Sequence, residues 1–437
     1  MTLLDLTPRV AEASPLSTLP VAIIGAGPIG LAAAANLLER GIDFVVFEAG
    51  DEIAASVRAW GHTRLFSPWK HLVDPASRRL LEEHGWELPD AERAPSGTEL
   101  VEAYLSQLAA LDEIAPHIRT GVEVIGVTRE GMDRTRTARR AATPFAVRIR
   151  TASGGVEDIA ARAVIDASGT YTSPNSLSSS GLELLGMADI ADRVTLALPD
   201  VLGTDRAEFA GRRVTVVGAG HSAANTLLAL VKLAREEPGT TVTWLIRNAK
   251  AVRVSSSSDD ELIGRANLGS RVDRAVERGD IALIDGFEII RARRAGDAVE
   301  LVGHRHAEVV THETDIVVNA TGFRPNLDIL REIRLELDEI VEAPKRLAPL
   351  IDPNVHSCGT VEPHGFRELT HPEKGFFIVG MKSYGRAPTF LLATGYEQVR
   401  SVTAWLAGDT VSASNVELVL PATGVCSTDA GKGGGCC

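Results

Sequence analysis

Two short glycine-rich boxes hold the residues whose types and spacing can do chemistry. The first reads Gly25-x-Gly27-Pro28-x-Gly30 within VAIIGAGPIGLAAA, and the second reads Gly218-x-Gly220-His221-Ser222-Ala223 within VTVVGAGHSAANT. In such a box the first glycine permits a tight turn and the second lets backbone amides touch a pyrophosphate. A small third residue lets the following helix pack closely on its strand. That helix then aims its unpaired N–H groups and the positive end of its dipole at the phosphates. Glu48 ends the apolar run after the first box (FVVFEAG), at about the 20-residue spacing where a carboxylate binds ribose hydroxyls. The matching run after the second box, VTWLIRN, ends in Arg247, and a guanidinium there accommodates a 2′-phosphate. The second box is therefore expected to prefer NADPH to NADH, with Lys250 and Arg253 adding positive charge. The stretch Gly220-His221-Ser222-Ala223-Ala224 is similar to a nucleophile elbow but lacks the second elbow glycine, so a turn beside a pyrophosphate explains it better.

Elements of definite type must position these residues. Each box follows four apolar residues suited to a buried parallel strand and precedes a helix-compatible run. Two further echoes, AVIDASGTY at 163–171 and IVVNATGFRP at 316–325, read as strands ending in Ala-Ser/Thr-Gly. Residues 122–128, 144–151 and 156–165 predict a three-stranded meander. Residues 98–110 predict a helix with Leu100, Val101, Tyr104, Leu105 and Leu108 on one face. The loop 129–142 carries Arg129, Arg134, Arg136, Arg139 and Arg140, and reads as a solvated hairpin loop in preference to an anion site. Ser-rich stretches at 172–181 and 255–260 read as loops, the former where the chain would cross between domains. Pro344, Pro349 and Pro353 mark a crossing back, and Thr389 to Leu406 is a strong helix opened by Pro388. The expected fold is α/β, with two Rossmann-like dinucleotide-binding domains, the second inserted into the first, and the three-stranded β-meander in the first. Residues 1–180 and 344–422 would form the first domain, 181–343 the second, and 423–437 a flexible tail.

Composition narrows the function classes. The 437 residues carry a net charge of −13, and this acidity argues against a nucleic-acid partner, which needs a basic footprint. No polybasic segment suggests a membrane surface. The apolar run Val21 to Leu38 is long enough for a membrane span, but Gly25, Gly27, Pro28 and Gly30 break it into strand, turn and helix. Residues 1–20 are unlike a secretory signal. Four cysteines are too few for a disulfide framework, so a reducing cytoplasm is the expected compartment.

Taken together, GAGPIGLAAA with Glu48, the stretches Asp166-Ala-Ser-Gly-Thr170 and Asn319-Ala-Thr-Gly-Phe323, and GAGHSA with Arg247 resemble the two-dinucleotide-binding-domain flavoproteins. That superfamily joins flavin-containing monooxygenases, N-hydroxylating monooxygenases and thioredoxin-reductase-like enzymes. The resemblance implies FAD on the first box, held by Gly25, Gly27, Pro28, Gly30 and Glu48 with Ala167, Gly169, Gly380 and Met381. It implies NADPH on the second, held by Gly218, Gly220, His221, Ser222, Ala223, Arg247, Ala320 and Gly322. By the same resemblance, Trp60, His62, Arg64, Ser67 and Trp69 line the flavin from the loop after Glu48, for which a buried aromatic cluster is the alternative. Lys382, Tyr384 and Arg386 would approach it from the start of the final helix. A monooxygenase of this kind takes a small-molecule substrate and O2, and protects a C4a-hydroperoxyflavin in a dry pocket. A disulfide reductase would need Cys-x-x-Cys or Cys-x4-Cys, and Cys358, Cys426, Cys436 and Cys437 offer neither.

Two departures accompany the resemblance. The Phe-x-Gly-x-x-x-His signature of flavin-containing monooxygenases begins at Phe209-x-Gly211 but meets Thr215, and Met381 follows Gly380 where related reductases place aspartate. The segment from His356 through Cys358 and Glu362 to His364, with His371 beyond, matches no zinc template and reads as an active-site wall or a surface loop. Cys426, Cys436 and Cys437 suit a thiophilic metalloid, because thiolates select soft ions. The terminal pair is similar to that of mercuric reductases, and the whole chain resembles a flavin monooxygenase-like branch associated with arsenic-resistance operons. An incidental tail is the plainer alternative. The expected activity is NADPH-dependent FAD monooxygenation of a small nucleophilic or thiophilic (arsenical) substrate. The alternatives are a flavin reductase of a metalloid or quinone, and a flavin redox sensor or electron-transfer partner without turnover.

Overall fold

The computed structural model describes residues 15–248, 263–352, 364–387 and 390–417. Short apolar runs build its first sheet. β1 (Val21–Ile24) is buried along its whole length, as suits a strand covered on both faces. A tight turn leads into α1 (Pro28–Glu39), whose proline sits in the first turn, where a missing N–H costs no helical bond. β2 (Phe44–Phe47) and, after the helix α2 (Pro75–Glu83), β3 (Ile118–Arg119) add in parallel. An antiparallel meander follows, made of β4 (Val122–Arg129), β5 (Phe145–Thr151) and β6 (Val156–Ala161). It ends short of the expected residue 165. Most of β6 faces solvent, whereas β7 (Ala163–Asp166) is wholly buried and joins β1 in the parallel sheet.

The second unit repeats this plan. β8 (Val194–Leu196), β9 (Arg213–Val217), α3 (His221–Glu236), β10 (Thr241–Leu245), α4 (Ile263–Glu277) and β11 (Ala282–Ile284) lead to a second antiparallel meander. Its strands, β12 (Phe287–Ala295), β13 (Ala298–Arg305) and β14 (Glu308–Thr314), were not anticipated from the sequence. β15 (Ile316–Asn319) then enters between β9 and β8, giving the parallel order β11-β10-β9-β15-β8. β16 (Phe376–Ile378) completes the first sheet in the order β16-β7-β1-β2-β3. α5 (Leu392–Leu406) crosses α1 so closely that a Cβ on Gly395 would lie 2.5 Å from Ile29 Cδ1. This helix begins later than the expected Thr389, and Pro388 lies outside the described residues.

Two expectations need correction. The chain is back on the first unit by Leu327, well before the boundary at 343 that the prolines suggested. Leu330 and Ile333 pack beside β4 and β5, and Val341, Ala343 and Leu347 belong to the core under α1. Nor is the arginine loop solvated throughout. Arg129 and Arg140 each donate to Glu373 at 2.8 Å, with all three side chains no more than 5% exposed, while Arg134, Arg136 and Arg139 face solvent. The carboxylate that draws them in comes from the far end of the chain, just before β16. Among the described residues no helix is long and apolar enough to cross a membrane.

Candidate functional site

The two glycine turns are built alike, and the reasons for each glycine differ. Gly25 has φ +98°, and a Cβ there would meet the Ala167 carbonyl at 2.9 Å; Gly218 has φ +128°, and a Cβ would meet the Ala320 carbonyl at 2.1 Å. These glycines are required by the fold itself, because the carbonyl at the end of β7 or β15 closes on the turn. Gly30 meets the Gly25 carbonyl in the same way, at 1.8 Å. Gly27 and Gly220 are different. Among the described residues, nothing lies within 4 Å of where a Cβ on either would stand. Each is also the residue that caps its helix, and neither α1 nor α3 receives a side-chain hydrogen bond at that cap. The space and the N–H groups that a pyrophosphate needs are thus present at both turns.

Glu48 is held at the edge of the first turn. Its carboxylate accepts from the Ala26 N–H at 2.8 Å and from the Gly50 N–H at 2.9 Å, so the side chain is oriented beside the box it follows. Arg247 is exposed after β10 and donates to the Ser179 carbonyl at 3.2 Å. His221 and Ser222 open α3, and the buried Ala223 packs behind them. Lys250 and Arg253 lie outside the described residues.

The two linkers between the units are bonded to each other. Asn175 N–H donates to the Gly322 carbonyl at 2.9 Å, Arg324 N–H to Ser173 at 3.0 Å, and the Asn319 side chain to the Asn175 carbonyl at 2.9 Å. Tyr171 and Phe323 lie ring to ring at 5.3 Å. Gly169 and Gly322, at φ +70° and +95°, provide the turns that bring the two segments side by side. Each Ala-Ser/Thr-Gly stretch also lies against its own glycine turn, Ala167 at Gly25 and Ala320 at Gly218.

The remaining candidates divide sharply. His62 and Arg64 are exposed, Ser67 is half-buried, and the Trp60 ring lies against Gly97. Trp69 is fully buried in the first core, and its Nε1 has no hydrogen-bond partner among the described residues. Lys382 is also buried and pairs with Asp166 at 2.7 Å while donating to Ser168 at 3.0 Å, which pins the Gly380–Tyr384 turn to the end of β7. Tyr384 is buried, and burial pushes its hydroxyl pKa up. Arg386 is spent on Glu342 at 2.6 Å. Gly380 donates its N–H to Gln398 at 2.7 Å, and the half-buried Met381 follows it in the turn. Local sequence carried no signal for the Lys382–Asp166 pair or for Gln398, whose partners come from other elements.

Of the histidine-rich segment, His356, Cys358 and Glu362 lie outside the described residues, while His364 is buried and bonded to Gln398 at 2.9 Å. His371 accepts the Glu336 N–H at 3.2 Å, and burial pushes its pKa down to about 4. The described residues contain no group of His, Cys, Asp and Glu that could hold a metal. A folded pKa below the ordinary 6.5 means that the unfolded chain binds the proton more readily. His371 should therefore cost stability as pH falls from 6.5 towards 4, by at most about 3 kcal/mol. Asp74 opposes it, because burial raises its carboxyl to about 6 and its contribution is lost as pH rises through that value. Urea unfolding at several pH values should show His371→Gln less acid-sensitive than the parent, and an unchanged slope would contradict this.

Known proteins resemble this chain in sequence and in fold. Indole-3-pyruvate monooxygenase YUCCA1 of Oryza sativa subsp. japonica is 26% identical over 408 residues, covering 91% of this chain and 81% of the relative. Among solved structures, bacillithiol disulfide reductase Bdr (YpdA) from Bacillus cereus superposes with a TM-score of 0.64 at 21% identity, over 89% of this chain and 99% of that one. Ornithine hydroxylase (PvdA) from Pseudomonas aeruginosa gives 0.62 at 17% identity, over 90% and 99%. These two likenesses concern the fold. Residues 22–357 match the family described as pyridine nucleotide-disulphide oxidoreductase, whose members use FAD and a pyridine nucleotide; the chain belongs to that family and is a flavin-dependent oxidoreductase.

Proposed function

We propose that the chain is an NADPH-dependent flavin monooxygenase acting on a small nucleophilic or thiophilic substrate, with FAD on the first turn and NADPH on the second. The observation that carries this reading is the pair of open, uncapped turns at Gly27 and Gly220, joined by bonded linkers, in a sequence that has neither Cys-x-x-Cys nor Cys-x4-Cys. The 26% identical monooxygenase relative supports the same choice.

Bound FAD would supply the redox chemistry, passing electrons from NADPH to O2. The chain's own contribution is binding, orientation and exclusion of water. The first N–H groups of α1 and α3 would take the phosphates, and Glu48, oriented by the Ala26 and Gly50 N–H groups, would take the ribose hydroxyls. The Asp166–Lys382 pair holds the late turn against β7, so that the residues around the flavin keep their spacing. Arg247 is the 2′-phosphate ligand. Arg247→Ala should raise the KM for NADPH about tenfold, the order of one lost charge-assisted contact, and leave that for NADH nearly unchanged. Equal effects on both coenzymes would remove the assignment.

The substrate favoured is a trivalent arsenical, captured by Cys426, Cys436 and Cys437, which lie outside the described residues. Deleting 426–437 should lower arsenical-stimulated NADPH consumption while leaving flavin content intact. Unchanged stimulation would set the tail aside.

A further inference from the structure

The first unit sends one aromatic side chain onto the second glycine turn. Phe66, in the loop after Glu48, packs against the core of the second unit together with Ala219 and Phe323. Its ring lies 5.3 Å from that of His221, tilted by 55°. Ala219 and His221 flank Gly220, the position left open to 4 Å on the side where a Cβ would stand. Phe66 therefore borders the open space without filling it. The seam continues through Phe323, which is in ring contact with Tyr171 from the other linker. A dinucleotide seated at the second turn must leave it towards the first unit if its reducing ring is to meet the flavin. Phe66 and His221 are the ring pair beside Gly220 on that side, where the first unit meets the second turn.

We propose that Phe66 is a coenzyme-contact residue of the second site, supplied by the first unit, whose ring borders the nicotinamide half of NADPH and orients it towards the first unit. The inference rests on the second turn being the NADPH site, and it adds the residue that separates binding of the two halves of the coenzyme. A flat aromatic face suits a planar ring, and a ring pair of this kind contributes a several-fold effect on affinity.

The test is equilibrium titration of the oxidised, flavin-loaded protein with two probes, NADP+ and adenosine 2′,5′-bisphosphate, which lacks the nicotinamide half. Phe66→Ala should weaken NADP+ binding about three- to tenfold and leave adenosine 2′,5′-bisphosphate binding unchanged. Phe66→Tyr, which keeps the ring, should restore NADP+ affinity. Equal weakening of both probes, or no weakening of either, would overturn the proposal, since a contact that only packs the units together does not distinguish them. Failure of adenosine 2′,5′-bisphosphate to bind the parent protein would instead overturn the reading of the second turn. Flavin content and thermal midpoint of each variant show whether the fold has survived.

Discussion

Replacing Gly27 by alanine should leave a folded chain that no longer holds its flavin. Gly27 has φ −79° and ψ −173°, a conformation any L-residue adopts, and a Cβ there would meet nothing within 4 Å among the described residues. The methyl group would stand where the pyrophosphate must approach the N–H groups of α1. Flavin affinity should fall at least tenfold, about 1.4 kcal/mol, with circular dichroism and apoprotein stability unchanged. Gly220→Ala should do the same for NADP+ and spare the flavin. The contrast is with Gly218→Ala, where the new Cβ would lie 2.1 Å from the Ala320 carbonyl and the fold itself would suffer. Retention of flavin by Gly27→Ala at parent stoichiometry and affinity would contradict the placement of the pyrophosphate.

The largest effect on stability should come from Glu373→Gln. Glu373 sits between Arg129 and Arg140, and its own N–H and one carboxylate oxygen also bond to the backbone of Arg334. The guanidiniums spend their other donors on carbonyls: Arg129 on Thr143 and Lys374, Arg140 on Asp133 and Glu332. Arg129 also lies over the Phe145 ring, 3.6 Å from its centroid. Removing the negative charge leaves two buried cations with no counter-ion, which costs about 3–5 kcal/mol. Burial acts to raise the Glu373 carboxyl, but the two guanidinium bonds prevail and hold its pKa below the usual value. That contribution is therefore present above the ordinary carboxyl range, near ~4.3, and lost as pH falls below it. Denaturant unfolding at neutral pH measures the loss. A loss under about 1 kcal/mol would mean that the cluster behaves like an exposed ion pair.

The same cluster shows where sequence reading ends. The central strands of both parallel sheets and the glycine turns are legible because their causes are local, a four-residue apolar run followed by a small-residue turn, whereas the short edge strands β3, β8, β11 and β16 carry too few residues to show a pattern. The burial of Arg129 and Arg140 is not legible, because their partner Glu373 lies 244 and 233 residues away and nothing near the loop announces it. The second meander escaped notice for a related reason. Ile289, Ala292, Val299 and Leu301 are among its buried residues, and they alternate with Arg291, Arg293, Arg294 and Glu300 in a way that reads as a charged surface stretch until the strands pair. The prolines at 344 and 349 misplaced the return crossing, since they shape a loop already packed on the first core. At the candidate site, Glu48 and the small residues of the boxes follow from spacing. Phe66 and Lys382 acquire their places only from the approach of distant elements.

The fate of the electrons from NADPH decides between oxygen transfer and reduction. The direct measurement is to reduce the flavin-loaded protein with NADPH and mix it with isotopically heavy dioxygen and a trivalent arsenical or another soft nucleophile. The product is then analysed by mass spectrometry, alongside the peroxide released. Heavy oxygen in the product, with one NADPH consumed per oxygen atom transferred, is the predicted result. NADPH consumption that yields only peroxide with every nucleophile, together with rapid reduction of a disulfide, quinone or metalloid in the absence of air, would contradict it.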